Sequence, residues 1–250
     1  MPDVAEIARP HSTEKRSVQQ YIDERPTWPD GTIVPSVPMT AMQWRIWTLA
    51  AAGKFFEGFV VFMTGVALPL ISREFGIGSA QNGLISAASL LGILIGAIGL
   101  GGMSDTFGRK RMFIIEMVIF CAFLVLLVFC TNFISLIVCL LGLGIALGCD
   151  YPTAHMIISE SIPSTSRGKL VLAAFAFQAV GALGGTAVGY FVLVADPSLD
   201  AWRWMYATAI IPAVLVTIGR FFIPESANWL HIRGATERAE EAAQRLLLRK

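Results

Sequence analysis

Gly101-Gly-Met-Ser-Asp105-Thr-Phe-Gly108-Arg109-Lys110-Arg111 is a short, charged, glycine-bearing turn set between two apolar stretches. Residues 84–100 upstream carry no charge, and residues 112–130 downstream carry only Glu116. Each stretch is long enough to cross a hydrocarbon layer of about 30 Å, so a turn this tight predicts two antiparallel membrane helices. Each of the three successive cations would cost about 2.5–3.5 kcal/mol at mid-bilayer. The turn is therefore expected on the cytoplasmic side, and it orients everything else.

Bulk composition agrees with a membrane-embedded chain. Of 250 residues, 55% are hydrophobic and only 15% charged, with mean hydropathy +0.64. A soluble domain carries about 25% charge. A net charge of +1 leaves no surplus of cations to neutralise phosphates, which argues against a nucleic-acid partner. Cys121, Cys130, Cys139 and Cys149 lie in apolar runs without a C-x2-C pair. They read as small buried hydrophobes, and neither a metal nor a cofactor is expected. The histidines are His11, His155 and His231, and no nucleophile–base or metal-ligand spacing occurs, so the chain does not read as an enzyme. Residues 1–30 are polar and lack the apolar core of a signal peptide.

Along the chain, residues 1–45 mix charges with Pro26, Pro29, Pro35 and Pro38 and show no sustained apolar period. They read as a mostly disordered cytoplasmic tail. Six membrane helices are predicted within a bundle at 46–224, spanning 47–71, 82–103, 112–131, 134–160, 169–194 and 204–223. Trp44, Trp47, Trp202, Trp204, Tyr206 and Trp229 stand near span ends, where amphipathic rings favour the interface. Residues 225–250 alternate charge with Ala and Leu at helical spacing and read as an amphipathic cytoplasmic segment. Cations cluster before the first span, after the second and fourth, and beyond the sixth, whereas the opposite loops hold only Arg73 and Arg203. That asymmetry predicts a multi-pass cell-membrane protein with both termini cytoplasmic. Gly92 and Gly96, Gly144 and Gly148, and Gly181, Gly185 and Gly189 recur at small-x3-small spacing. Such spacing lets helix backbones approach closely in a bundle.

Ionisable residues deep in a bilayer are costly and default to functional candidates. Lys54 and Glu57 in the first span and Asp150 in the fourth are the clearest. Each carboxylate lies about ten residues, or roughly 15 Å, from the cytoplasmic end of its span, which is half the hydrocarbon thickness. They occupy the first helix of each three-helix half, the relation expected of an inverted repeat with its site at mid-depth. Lys54 and Glu57 stand three apart on one face and can pair, which keeps Glu57 ionised. Asp150 has no cation within a turn and reads as the proton carrier, the alternative being a structural acid hydrogen-bonded within the bundle. Glu57 is a second proton-coupling candidate. Lys54, Glu57, His155 and Gln178 are candidates for substrate contact. Pro152 would break the hydrogen-bond ladder of the fourth span and suits a discontinuous helix.

Three stretches carry a family resemblance. The spacing Gly101-x3-Asp105-x2-Gly108-Arg109-Lys110 resembles the loop between helices two and three of the major facilitator superfamily, with Thr106 where that family usually has Arg or Lys. Pro224-Glu225-Ser226-Ala-Asn-Trp229-Leu230 resembles the signature after helix six of the sugar-porter branch, from which Ala227 and Asn228 depart. The run Gly148-Cys-Asp150-Tyr151-Pro152, with Glu160, Pro163, Arg167 and Gly168, is similar to helix four and its following loop in proton-coupled metabolite, phosphate and sugar transporters.

The resemblance covers about residues 47–234 and implies an all-α membrane fold. It would be a six-helix bundle of 3+3 inverted repeats, half of a twelve-helix transporter, whose missing C-terminal six-helix half would be a partner. It further implies alternating-access transport of a small polar solute, whether sugar, polyol, organic acid or phosphate, with a proton as coupling ion. In the family the positions matching Asp105, Arg109, Glu160 and Arg167 form a charge network that closes the inward gate, and Glu225 is placed with them. The alternative reading is a non-transporting membrane receptor or scaffold that kept the helices without the coupling.

Overall fold

The structure, a computed structural model, describes residues 17–25, 30–33 and 37–247. Every element among them is a helix. α1 is Val18–Ile22, α2 Ala41–Phe75 and α3 Ser79–Ile95, which continues as a π-helical turn over Gly96–Leu100. α4 is Met103–Phe107, α5 Arg109–Val128, α6 Phe133–Ser161, α7 Ser164–Ala195 and α8 Ala201–Phe221. Two short helices follow, α9 Ala227–Ile232 and α10 Thr236–Leu247. Six of these, namely α2, α3 with its π turn, α5, α6, α7 and α8, are long and apolar enough to cross a membrane.

Capping extends several spans beyond their expected ends. α2 starts at Ala41 rather than 47 because the Thr40 hydroxyl accepts from the Gln43 N–H while Gln43 accepts from the Thr40 N–H. That reciprocal pair satisfies two donors that would otherwise face nothing. α7 starts at Ser164, directly after Pro163, rather than at 169. α5 starts at Arg109 rather than 112, so the three cations sit on its first turn, and α4 occupies the turn itself. The fourth span is corrected in another respect: α6 runs unbroken through Pro152. The backbone irregularity lies instead in the facing π turn, where Gly101 sits against the Pro152 ring.

The packing repeats itself. α2 lies along α7, and α6 lies along α3; α5 packs on α6, and α8 on α2; α5 and α8 meet each other. Exchanging the first three spans for the last three maps each pair onto the other, which is the 3+3 repeat expected of the fold. The two long crossings are made at glycine. A Cβ on Gly181 would lie 1.9 Å from the Phe55 carbonyl oxygen, and one on Gly148 would lie 2.1 Å from that of Ile93. Only a residue without a side chain lets backbones touch there.

At the cation-rich end of the bundle the segment before α2 differs from the tail expected over 1–45. Ser17 caps α1, whose Ile22 is fully buried. The helix packs into a cluster with Ala227, Leu230, Ala239, Ala242 and Leu246 of α9 and α10. Asp23, just after α1, accepts a hydrogen bond of 2.7 Å from the Ser164 N–H and so caps α7 from outside. Residues 1–16, 26–29 and 34–36 of that segment, with Pro26, Pro29 and Pro35, lie outside the described residues. At the other end, Trp202 on the first turn of α8 is fully buried, its indole N–H donating to Glu74. Arg203 meets the same carboxylate at 2.7 Å and donates to the Cys130 carbonyl at 2.9 Å.

Candidate functional site

Five ionisable side chains from four helices meet inside the bundle: Lys54 and Glu57 of α2, Glu116 of α5, Asp150 of α6 and Arg220 of α8. Each is at most 4% exposed. Lys54 and Glu57 pair at 3.3 Å, as their i, i+3 spacing predicts. The Lys54 ammonium also lies 3.3 Å from Asp150 Oδ2 and 3.4 Å from the centre of the Tyr151 ring. Glu57 Oε1 accepts from the Tyr151 hydroxyl and, at 3.0 Å, from the Gln178 amide of α7.

Asp150 is not the isolated acid that its own helix suggested. Arg220 Nη2 donates to Asp150 Oδ1 at 2.9 Å, while Nη1 donates to Glu116 Oε1 and to the Phe113 carbonyl, both at 2.6 Å. The guanidinium also lies 3.4 Å from the centre of the Phe113 ring. So Lys54 and Arg220 both face Asp150, and the expectation of a carboxylate without a cation is corrected.

Glu116 and Arg220 were not picked out by sequence reasoning, although the signal was available: each is an ionisable residue inside a predicted span. Tyr151 was missed as a contact of both Lys54 and Glu57. His155 was expected beside the substrate and is exposed on α6, outside this cluster.

A second constellation gathers at the cation-rich end. Arg109, buried at the start of α5, pairs with Asp105 and meets Glu160 Oε1 at 3.2 Å. The Ser226 hydroxyl donates to the other oxygen of Glu160. Glu225 Oε1 accepts from the Lys110 N–H at 2.8 Å and from the Ser226 N–H at 3.0 Å. A carboxylate on the first turn of α5 satisfies a free donor and opposes the positive end of the helix dipole. Gly108 makes this possible. Its φ is 105°, and a Cβ there would lie 2.6 Å from Glu225 Oε2. Arg167 does not join: its Nε and one terminal nitrogen are buried without a hydrogen-bond partner, and Asp23 lies in its field. Four of the five residues expected in this network thus come together, with Ser226 added.

No His, Cys, Asp and Glu grouping that could hold a metal occurs among the described residues. The cysteines are free thiols, three of them buried, with Cys130 and Cys139 sulfurs 3.5 Å apart.

Six apolar helices in two inverted sets of three, around a buried charge cluster, define the half-bundle of a major facilitator fold. The chain belongs to the sugar (and other) transporter family, whose model matches residues 46–250. It is a multi-pass membrane protein. YaaU of Escherichia coli (strain K12), named for metabolite transport, is 34% identical over 197 residues, covering 79% of this chain and 44% of that protein. The galactose-proton symporter of the same strain is 33% identical over 209 residues, covering 84% and 43%. Among solved structures, the proton:xylose symporter XylE from E. coli superposes with a TM-score of 0.77 at 25% identity, covering 83% of this chain and 50% of that one. The chain spans about half the length of the curated relatives it matches.

Proposed function

We propose that the chain supplies the N-terminal half of a proton-coupled transporter for a sugar or another small polar solute. Both termini face the cytosol of a cell-membrane protein, and a second six-helix half closes the substrate cavity. The observation that carries this reading is the buried cluster of Lys54, Glu57, Glu116, Asp150 and Arg220 on four helices. Such a set of charges is expensive to bury as a mere brace, because apolar residues of similar volume often hold a core at least as well. Its place inside a transporter fold fits a site that changes its charge partners during the cycle. Gln178 and Tyr151 beside Glu57 offer neutral hydrogen bonds to a polyhydroxyl solute. The names of the galactose-proton and proton:xylose symporters support the same solute class and the coupling ion.

The junction of Asp105, Arg109, Glu160, Glu225 and Ser226 is proposed as the inner gate. Its ion pairs hold α4, α5, α6 and the start of α9 together in one state and release them in the other. The test is radiolabelled uptake in vesicles containing the twelve-helix protein, with hexose, pentose, organic acid and phosphate, with and without a protonophore. Accumulation of one sugar that collapses with protonophore and in Asp150→Asn is expected. A protein that accumulates none of them, or that accumulates equally with Asp150→Asn, overturns the coupled-transport reading and favours a receptor or scaffold. Residues 1–250 alone should give no concentrative flux in proteoliposomes.

A further inference from the structure

The buried cluster is out of charge balance. Glu57, Glu116 and Asp150 contribute three negative charges, and Lys54 and Arg220 contribute two positive ones. An uncompensated charge in a low-dielectric interior is so costly that a group neutralises instead. The geometry points to where that happens.

Glu57 is fully served, by Lys54, Tyr151 and Gln178. Glu116 and Asp150 are not. Each gives one oxygen to Arg220; Glu116 Oε2 is buried with no hydrogen-bond partner, and Asp150 Oδ2, 3.3 Å from the Lys54 ammonium, receives no hydrogen bond. One guanidinium holds both carboxyl groups side by side, Glu116 on Nη1 and Asp150 on Nη2, and two carboxylates cannot donate to each other. The groups facing Glu116 are Arg220 from α8 and Asp150 and Cys149 from α6. Lys54 from α2 faces Asp150, and Glu57 stands behind it.

We propose that Glu116 and Asp150 share one proton, with Arg220 clamping one oxygen of each. The inference deepens the coupled-transport reading and rests on it only for the use of the proton in transport. Glu116 would then be a proton-binding residue on α5, and Arg220 a positioning residue that holds both carboxyls in register. Like-charged acids held on one cation in a dry interior retain one proton between them. Displacing Arg220 from either acid would change how tightly that proton is held.

Infrared spectroscopy of the purified chain in lipid nanodiscs near neutral pH tests this. A carboxylic-acid C=O band that shifts on deuterium exchange is expected in the parent chain. Glu116→Gln and Asp150→Asn should each abolish it, since an amide can donate across the pair without a proton. Glu57→Gln should leave it. The proposal is overturned if the parent chain shows no such band. It is equally overturned if the band survives both substitutions or disappears only in Glu57→Gln. Where one variant does not elute as a monodisperse protein the other carries the same readout, and the Glu57→Gln spectrum decides by elimination if both fail. Uptake assays separate this site from the transport reading: a band without proton-dependent uptake rejects the function and keeps the site, and uptake without a band does the reverse.

Discussion

Arg220 joins α8 to three other helices with one guanidinium, reaching Glu116, Asp150 and the Phe113 and Leu49 carbonyls. Its removal strands two buried acids at once. Breaking a buried pair by deleting one partner costs about 3–5 kcal/mol. Arg220→Met should therefore lower the thermal unfolding midpoint in detergent markedly. Arg220→Met combined with Asp150→Asn should recover part of that loss, and an additive double variant would show that the pair is not coupled. Lys54 is held differently, by two acids and an aromatic face, so Lys54→Arg cannot be a neutral exchange there. The Lys54–Glu57 pair was legible in the sequence because its members lie one helical turn apart. The Arg220 contacts were not, because the partners are 104 and 70 positions away. Only packing α8 against α5 and α2, which brings Asp150 of α6 within reach of Arg220, creates them.

At the scale of single elements, boundaries follow caps more than hydropathy. The Thr40 box, the proline before Ser164 and the Asp23 cap on α7 each lengthen a helix that apolar pattern alone ends early. Gly108 is the sharpest test of element geometry. Gly108→Ala places a side chain at a left-handed backbone angle and into Glu225, which should cost about 1–3 kcal/mol and loosen the start of α5. Cysteine labelling at the α4–α5 turn would register the loosening as faster modification. The helix crossings make a second prediction. Gly181→Leu must push α2 from α7, and the inverted repeat says that Gly148→Leu should do the same to α6 and α3. Both variants should lose monodispersity or several degrees of midpoint, whereas Gly168→Ala, with open space around its Cα, should not. Gly181 and Gly148 were picked out as packing residues by spacing, but their partner helices were not readable from it.

Considered whole, the molecule ties its first described helix to its last. α1 buries Ile22 among α9 and α10 side chains, Thr40 donates to the Leu246 carbonyl at 2.6 Å, and Asp23 caps α7. Partial burial alone would raise the Asp23 carboxyl. The Ser164 backbone bond, Gln19, the Ser164 side chain and Arg167 together outweigh it and hold the group below the ordinary carboxylate value. A depressed group contributes stability above its unfolded value and loses it as the pH falls toward the folded one. The α1 clasp should accordingly weaken below about pH 4, seen as proteolytic cleavage after Arg25 that speeds up at acid pH. Asp23→Asn should be cleaved at a rate that no longer changes over that range. Cysteines introduced at residues 24 and 248 should both react only from the cytosolic side; modification of either from outside would reverse the proposed orientation.

The amino-acid order by itself determined that there are six spans and which of them repeat, and it carries the proposed direction of each. Hydrophobic length and cation placement act locally, and each segment meets the bilayer largely alone. The charged turn at 101–111, the Lys54–Glu57 pair and the small-residue stripes belong to that level. Tertiary structure decided which buried acid has which cation, that α6 runs straight through Pro152, that Arg167 stands outside the charged junction and that Ile22 anchors a helix. Each of those depends on a contact between residues far apart in the chain, where the free energy of a charge or an apolar side chain is set by what the fold brings against it.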